Sequence, residues 1–168
     1  MKQTIFTFFL AAGLLLLPKP SDAQEYKTAV GARLGYPVAA SLKHFLTDDH
    51  ALEVYAGMRW FSGYSWTSIS GAYQIHRPLE IEGIENLRWY FGGGATILFW
   101  NFGTLFGDRY STTTVGLQAY LGAEYVIPNY PISMTVDWVP TFLLSGYRSG
   151  FRAGYGSVGV RYILSPKS

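Results

Sequence analysis

Cysteine is absent from this chain of 168 residues, and charged residues make up only 14% of it. The missing cysteine excludes disulfide scaffolds, thiolate metal sites and cysteine catalysis. A soluble domain typically carries about 25% charged residues, so this chain has few of the groups that normally cover a wetted surface. The formal net charge of +2 is too small to predict a nucleic-acid partner. The chain has instead 49% hydrophobic residues, 17% aromatic residues and 19 glycines.

The N-terminal segment has the pattern of a secretory signal peptide. Lys2 precedes an apolar run over 5–17, and small residues precede a cleavage position after Ala23. The apolar run is shorter than the roughly 20 residues of a transmembrane helix. We therefore predict a signal peptide over 1–23 and one mature domain over 24–168.

Apolar and polar residues alternate with a period of two through most of the mature chain. Ser133 and Thr135 share a face with Asp137, whereas Val136 and Trp138 lie on the other face. Turn signals rich in glycine, proline and aspartate separate the alternating runs. The sequence therefore predicts eight strands, over 27–34, 38–46, 51–61, 65–76, 87–101, 113–126, 132–144 and 155–164.

One uncharged stretch, over 89–107, is long enough to suggest a transmembrane helix. Gly92, Gly93 and Gly94 argue against this alternative, because glycine weakens a helix interior. Aromatic and β-branched residues dominate the rest of the stretch. We interpret it as the strand over 87–101.

Alternation by itself fits either a soluble barrel with an apolar lumen or a membrane barrel with a polar lumen. The polar faces carry small residues such as Gly116, Gly122 and Gly159, which suit the crowded interior of an eight-stranded barrel. They also carry most of the strand charges, and lysine is rare. These features favour aliphatic faces that meet lipid. Because hydrocarbon offers backbone groups no hydrogen bonds, a spanning sheet must then close into a barrel.

Tryptophans mark the ends of the predicted strands. Trp60, Trp66, Trp89 and Trp100 fall where the aromatic girdles of a membrane barrel lie. We therefore predict an all-β fold, an eight-stranded antiparallel up-and-down transmembrane β-barrel. Export of such a chain implies the outer membrane of a didermal bacterium.

One segment carries a family resemblance. Lys43-His44-Phe45-Leu46 with Ala51-Leu52-Glu53 resembles the strand–turn–strand of the small eight-stranded outer-membrane β-barrels of the OmpA-like and OmpX-like type, which include uncharacterised outer membrane protein beta-barrel domain proteins. The resemblance covers the whole mature chain and implies an architecture, not an activity. Such barrels usually end on an aromatic residue, whereas Ser165-Pro166-Lys167-Ser168 follows the last strand here. The connection over 77–86 is also long for a periplasmic turn.

The lumen-facing positions of the predicted strands carry five basic and three acidic side chains: Arg33, Lys43, Glu53, Arg59, Arg88, Glu124, Asp137 and Arg161. Isolated buried charges are costly, so these groups should pair or be solvated. They could form a proton or ion path, or an ion-pair network that fills the barrel. The narrow lumen of eight strands favours the network.

Some lipid A deacylases and palmitoyltransferases resemble this scaffold in size and place histidine and serine near the outer leaflet. With a periplasmic N-terminus, the three histidines fall at the periplasmic end, out of reach of the outer-rim serines: His44, His50 and His76 against Ser62, Ser65 and Ser145. The histidine spacing matches no familiar metal-ligand pattern. We therefore predict no catalytic residue, no cofactor and no metal.

Two groups of charges lie outside the strands. Glu80, Glu82 and Glu85 occupy the 77–86 connection, which we interpret as a solvated turn, with contact to a basic partner as the alternative. Arg109, Arg148 and Arg152 lie in the two longer outer loops. Arginine binds phosphate bidentately, so these three could contact lipopolysaccharide phosphates, with ordinary solvated loops as the alternative.

The leading hypothesis is a non-enzymatic outer-membrane barrel with a structural or surface-interaction role. Its expected partners are outer-membrane lipid and lipopolysaccharide, and the outer-membrane insertion machinery during biogenesis. Two alternatives stay open: a membrane-embedded enzyme that modifies lipid A, and a secreted soluble barrel that binds an apolar ligand.

Overall fold

The computed structural model describes residues 26–35, 37–61, 64–102, 110–144 and 149–166. The predicted signal peptide over 1–23 lies outside these ranges. Ten strand segments follow in chain order: β1 Tyr26–Gly35, β2 Val38–Phe45, β3 His50–Phe61, β4 Tyr64–Pro78, β5 Leu87–Phe102, β6 Tyr110–Val126, β7 Ile132–Trp138, β8 Thr141–Leu143, β9 Gly150–Arg152 and β10 Gly156–Pro166.

The strands form a closed eight-stranded antiparallel β-barrel. Each of β1 to β6 pairs with its neighbour in sequence, β6 pairs with both β7 and β8, and β10 pairs with β7. Pairing of β1 with β10 closes the cylinder, with Arg33 opposite Gly159 and Ala29 opposite Ile163. Closure leaves no free sheet edge, which satisfies the backbone polar groups within the wall. The prediction of an eight-stranded barrel is confirmed.

Two of the eight wall strands are interrupted. The predicted strand over 132–144 is divided into β7 and β8, because Pro140 lacks the N–H group that a ladder needs. The wall stays connected there: Val139 N–H donates to Tyr155 O at 2.7 Å, and Ala119 N–H donates to Pro140 O at 3.0 Å. The eighth wall strand comprises β9 and β10. Its first part lies in a segment that the sequence predicted as a loop.

The uncharged stretch that could have been a helix is β5. The strand alternates as predicted, with Tyr90 and Thr96 buried inside and Phe91 and Ile97 exposed outside. Within the described ranges, no helix is long and apolar enough to cross a membrane.

Both described ends of the chain, Tyr26 and Pro166, lie at one end of the barrel. We call it the terminal end. The connections over 46–49, 79–86 and 127–131 are also at this end. The opposite end carries the connections that contain the undescribed residues 36, 62–63, 103–109 and 145–148.

Large apolar side chains face away from the barrel axis. On β7 alone, Met134 is 41%, Val136 is 56% and Trp138 is 48% exposed. The tryptophans divide between the two faces, which corrects part of the predicted girdle. Trp60 and Trp89 are exposed outside, but Trp66 and Trp100 are each 1% exposed and pack together inside, with ring centroids 5.8 Å apart.

Candidate functional site

The barrel interior is the candidate site, and Glu53 lies at its centre. Arg33 Nη1 donates to Glu53 Oε1 at 2.8 Å, and Arg161 Nη2 donates to the same oxygen. Gln74 Nε2 donates to the other carboxylate oxygen at 2.8 Å. The side chains of Arg33, Glu53 and Arg161 are at most 3% exposed. One carboxylate therefore holds two buried guanidinium groups, each from a different strand.

Arg33 extends this network across the lumen. Its Nη2 donates to both oxygens of Asp137, at 2.9 and 2.8 Å, and its guanidinium stacks 4.5 Å from the Tyr55 ring centroid. Tyr90 and Ser157 also donate to Asp137, at 2.7 and 2.9 Å. Both Asp137 oxygens thus accept from one Arg33 nitrogen, and the added hydroxyls give this buried carboxylate the further partners that it needs.

Small residues make room for the network. Arg161 follows two residues after Gly159 on the inner face of β10, and its Nη1 donates to Thr135 at 3.0 Å. A Cβ on Gly159 would overlap Thr135 Oγ1 and lie 3.3 Å from Arg161 Nη1. The guanidinium therefore fits because its neighbour on the same face has no side chain.

A second cluster lies nearer the terminal end. Lys43 Nζ donates to Glu124 Oε2 at 3.0 Å and lies 3.0 Å from His76 Nε2. Tyr26 donates to the other Glu124 oxygen at 2.5 Å. The Lys43 ammonium also lies 4.7 Å from the Tyr90 ring centroid. This buried cation is thus surrounded by a carboxylate, an imidazole and an aromatic face.

Six of the eight residues predicted for the interior charge network lie in these two clusters, namely Arg33, Lys43, Glu53, Glu124, Asp137 and Arg161. They contribute three cations and three carboxylates, so their formal charges cancel. The other two residues are partly exposed at the ends of the barrel. Arg59 donates to Gly35 O at 3.3 Å, and Arg88 donates to Asp48 O at 3.1 Å.

The three histidines lie in different environments, two on the outer side of the wall and one inside it. His44 and His50 lie on the outer side, where they bond to Thr28 at 2.9 Å and Tyr73 at 2.6 Å. His76 is fully buried and stacks on Tyr90, with ring centroids 4.9 Å apart. The signal was present in the sequence, because His76 shares the even-numbered inner face of β4 with Gln74.

Among the described residues, no group of histidine and carboxylate side chains could hold a metal ion. Ser62 and Ser145, two of the three serines considered as nucleophiles, lie outside the described ranges, as do Arg109 and Arg148. Arg152 is half-buried and pairs with Thr141, whose side chain is buried inside. Side chains of directly paired residues share a face, so Arg152 points toward the barrel axis.

Apolar side chains occupy the opposite end of the lumen. Trp66, Leu98, Trp100 and Leu143 form a buried cluster there. Between this cluster and the Arg33 network, a small cleft lined by Arg33, Tyr55, Gln118 and Tyr155 has room for about one water molecule. Buried side chains therefore line the described interior, polar ones near the terminal end and apolar ones near the opposite end.

Solved structures of two bacterial outer-membrane proteins resemble this barrel. One is the N-terminal β-barrel domain of Pseudomonas aeruginosa OprF, with 16% identity, a TM-score of 0.59, and coverage of 83% of this chain and 98% of that one. The other is Neisserial surface protein A, NspA, with 14% identity, a TM-score of 0.57, and coverage of 82% and 93%. No protein-family model and no curated protein matches the chain. At this identity the likeness shows the fold, that of a small outer-membrane β-barrel.

Proposed function

We propose that the chain is a non-enzymatic integral protein of the bacterial outer membrane, with a packed polar interior and a structural or surface-interaction role. One observation carries the proposal: the barrel is apolar outside and charged inside. Arg33, Glu53 and Arg161 are at most 2% exposed, whereas Leu34, Val54 and Val136 are more than half exposed. A soluble protein rarely exposes a contiguous apolar patch larger than a few hundred Å².

The strand lengths agree with a lipid-embedded wall. β4, β5 and β6 contain 15, 16 and 17 residues, more than the roughly 9–11 that a tilted strand needs to cross a bilayer. The likeness to OprF and NspA supports the same environment. By this proposal the terminal end faces the periplasm, and the chain is exported by the signal peptide predicted over 1–23.

The packed interior supports a role without catalysis or conduction. Each buried charge has an ion-pair partner within the lumen, and the apolar cluster around Trp66 and Trp100 fills the opposite end. Contacts of Arg109, Arg148 and Arg152 with lipopolysaccharide phosphates stay part of the proposal. Arg152 would make them at the mouth of the barrel, because its side chain points toward the axis.

Insertion into lipid can be tested with tryptophan fluorescence. The chain has five tryptophans, of which Trp60, Trp89 and Trp138 face outward and the other two face inward. A variant with the inner pair changed to phenylalanine is compared with one in which the outer three are changed. Both are refolded into vesicles, and folding is verified by heat-modifiable gel migration.

We expect phospholipids with brominated acyl chains to quench the fluorescence of the three outer tryptophans strongly and that of the inner pair weakly. Fractionation of cells should place the native protein with outer membranes. Equal quenching of the two variants, or a mature chain that is monodisperse in buffer without amphiphile, would contradict the proposal. A change in lipid A mass on expression would instead support the enzyme alternative.

A further inference from the structure

In the Lys43 cluster, which comprises Lys43, His76 and Glu124, one carboxylate oxygen lies within reach of two nitrogen atoms. Glu124 Oε2 is 3.0 Å from Lys43 Nζ and 3.2 Å from His76 Nε2. The two nitrogens are 3.0 Å from each other. Tyr26 donates to the other oxygen of Glu124. The three side chains of the cluster are at most 1% exposed, so they share their protons away from bulk solvent.

The contact between Lys43 and His76 determines which ring nitrogen carries a proton. An ammonium group has only donors, so Lys43 Nζ can bond to Nε2 only where that nitrogen is an acceptor. The neutral ring then carries its proton on Nδ1, which has no hydrogen-bond partner in the described part of the chain. A second proton could bind only at Nε2, on the side that faces Lys43. Protonation of His76 therefore excludes its contact with Lys43.

The charges around His76 also oppose a second proton. Lys43 on β2 and Arg88 on β5 are cations that act on the ring, and Glu124 on β6 is an anion that acts on it. A protonated ring would thus face two cations, together with one carboxylate that already has an ammonium partner. The neutral ring avoids this repulsion.

The other groups packed against His76 supply no countercharge. Asp49 O accepts from His76 N at 2.7 Å, but the Asp49 carboxylate pairs with Arg77 on the outer side of the wall. Phe45 and Tyr90 lie against the ring, with centroids at 4.9 Å in each case. A phenol titrates near about pH 10, so Tyr90 stays neutral in acid. The ring therefore depends on Glu124 for a countercharge.

Lys43, in turn, has no second carboxylate to move to within the lumen. Glu53 already accepts from two guanidinium groups, and both oxygens of Asp137 accept from Arg33. A buried ammonium group that loses its countercharge is strongly unfavourable. The buried cluster therefore cannot bind a proton at His76 and stay closed.

We propose that the Lys43 cluster is an acid-sensitive switch at the terminal end of the barrel. In the closed form the ring of His76 is neutral, and Lys43 bonds to both the ring and Glu124. In the open form solvent reaches the cluster, one proton from solvent binds Nε2, and Lys43 leaves the ring. Local opening and complete unfolding both expose the cluster in this way, so acid favours either of them.

The direction and size of the pH effect follow from the proton count. A solvated imidazole titrates near about pH 6.5, so the closed form has its full stability above that pH and loses it as the pH falls below. A decrease from about pH 8 to about pH 5.5 should lower the equilibrium constant for closing about tenfold. Solvated carboxylates titrate near about pH 4, below this range.

The test compares His76→Gln with His50→Gln. A glutamine at position 76 can accept from Lys43 but does not titrate, and His50 is the matched control because it lies on the outer side of the wall. Urea unfolding in detergent micelles, followed by heat-modifiable migration, is measured at both pH values. We expect the equilibrium constant for folding to fall about tenfold in the wild type and in His50→Gln, and less than about twofold in His76→Gln.

A second measurement needs no substitution at position 76. Nitrogen NMR spectra of the folded wild type with isotope-labelled histidine are recorded in micelles at about pH 5.5, and His44→Gln and His50→Gln assign the signals by difference. We expect a neutral ring with its proton on Nδ1 for His76. An imidazolium signal, or a neutral ring with its proton on Nε2, would overturn the inference. A tenfold pH effect that persists in folded His76→Gln would also overturn it.

Discussion

At the scale of the residue, the buried charges of the interior depend on two things: an ion-pair partner and a neighbour small enough to leave room. Glu53 serves two guanidinium groups, and Gly159 leaves the volume that Arg161 occupies. Removing one partner of a buried ion pair is more costly than removing both, because the remaining charge keeps its desolvation penalty. Glu53 is therefore the residue whose loss should matter most.

We expect Glu53→Gln to lower the free energy of unfolding by about 3–5 kcal/mol, since it leaves Arg33 and Arg161 short of a buried countercharge. Urea unfolding in detergent micelles, followed by heat-modifiable migration, measures the effect. Glu82→Gln in the exposed connection over 79–86 is the matched control and should change stability by less than about 0.5 kcal/mol. Similar values for both variants would mean that Arg33 and Arg161 find other partners or water.

The sequence predicts the inner residues where strand alternation runs unbroken. Arg33, Glu53 and Asp137 lie in the middle of long alternating runs, and the structure places them inside. Arg59 and Arg88 follow the same alternation but lie near strand ends, and the pattern of residues does not show where the wall stops. The prediction that Trp66 and Trp100 belong to the outer girdle was wrong. A tryptophan near a strand end fits an interfacial girdle as well as it fits the mouth of the lumen.

At the scale of the element, the three consecutive glycines of β5 lie in two different environments. A Cβ on Gly92 or Gly94 would overlap a backbone oxygen of β4, from Tyr73 or Gly71 respectively. Gly93, between them, points outward and meets no such obstacle. The sequence predicted a strand here, but it does not reveal which of the three glycines is crowded, because that depends on the register with β4.

Valine substitutions should distinguish the crowded glycines from the exposed one. Gly94→Val should lower the free energy of unfolding in micelles by about 1–3 kcal/mol or prevent refolding, because the strands must move apart to admit the side chain. Gly93→Val should leave stability unchanged or raise it, because valine favours strands. Equal losses in urea unfolding would show that β5 needs glycine for conformational freedom and not for close approach.

The strand boundaries were predictable wherever a turn signal stood between two alternating runs. β3 and β5 each begin and end within one residue of prediction. The break between β7 and β8 could not be predicted in this way. Thr141 and Leu143, which follow Pro140, lie on the same inner face as Asp137, which precedes it. Alternation of faces continues through the break although the ladder does not.

At the scale of the whole molecule, different kinds of side chain occupy the two ends of the described lumen. Near the terminal end, Lys43, His76 and Glu124 bond to one another, whereas Trp66 and Trp100 pack together near the opposite end. Between them lies the Arg33–Glu53–Arg161 network. By the proposed packed interior, an ion crossing the barrel would have to displace these apolar side chains and break two sets of buried ion pairs.

Purified protein in a planar lipid bilayer should therefore show no large, stable pore. Arg59→Ala is the matched control, because Arg59 lies at the rim and its removal leaves the inner ion pairs intact, so its trace should equal that of the wild type. A pore-forming protein added afterwards verifies that the bilayer reports conduction. Steady openings in the nanosiemens range from the folded, heat-modifiable wild type would contradict this prediction, because they require a continuous water column past the buried side chains of Tyr55, Tyr120 and Trp100.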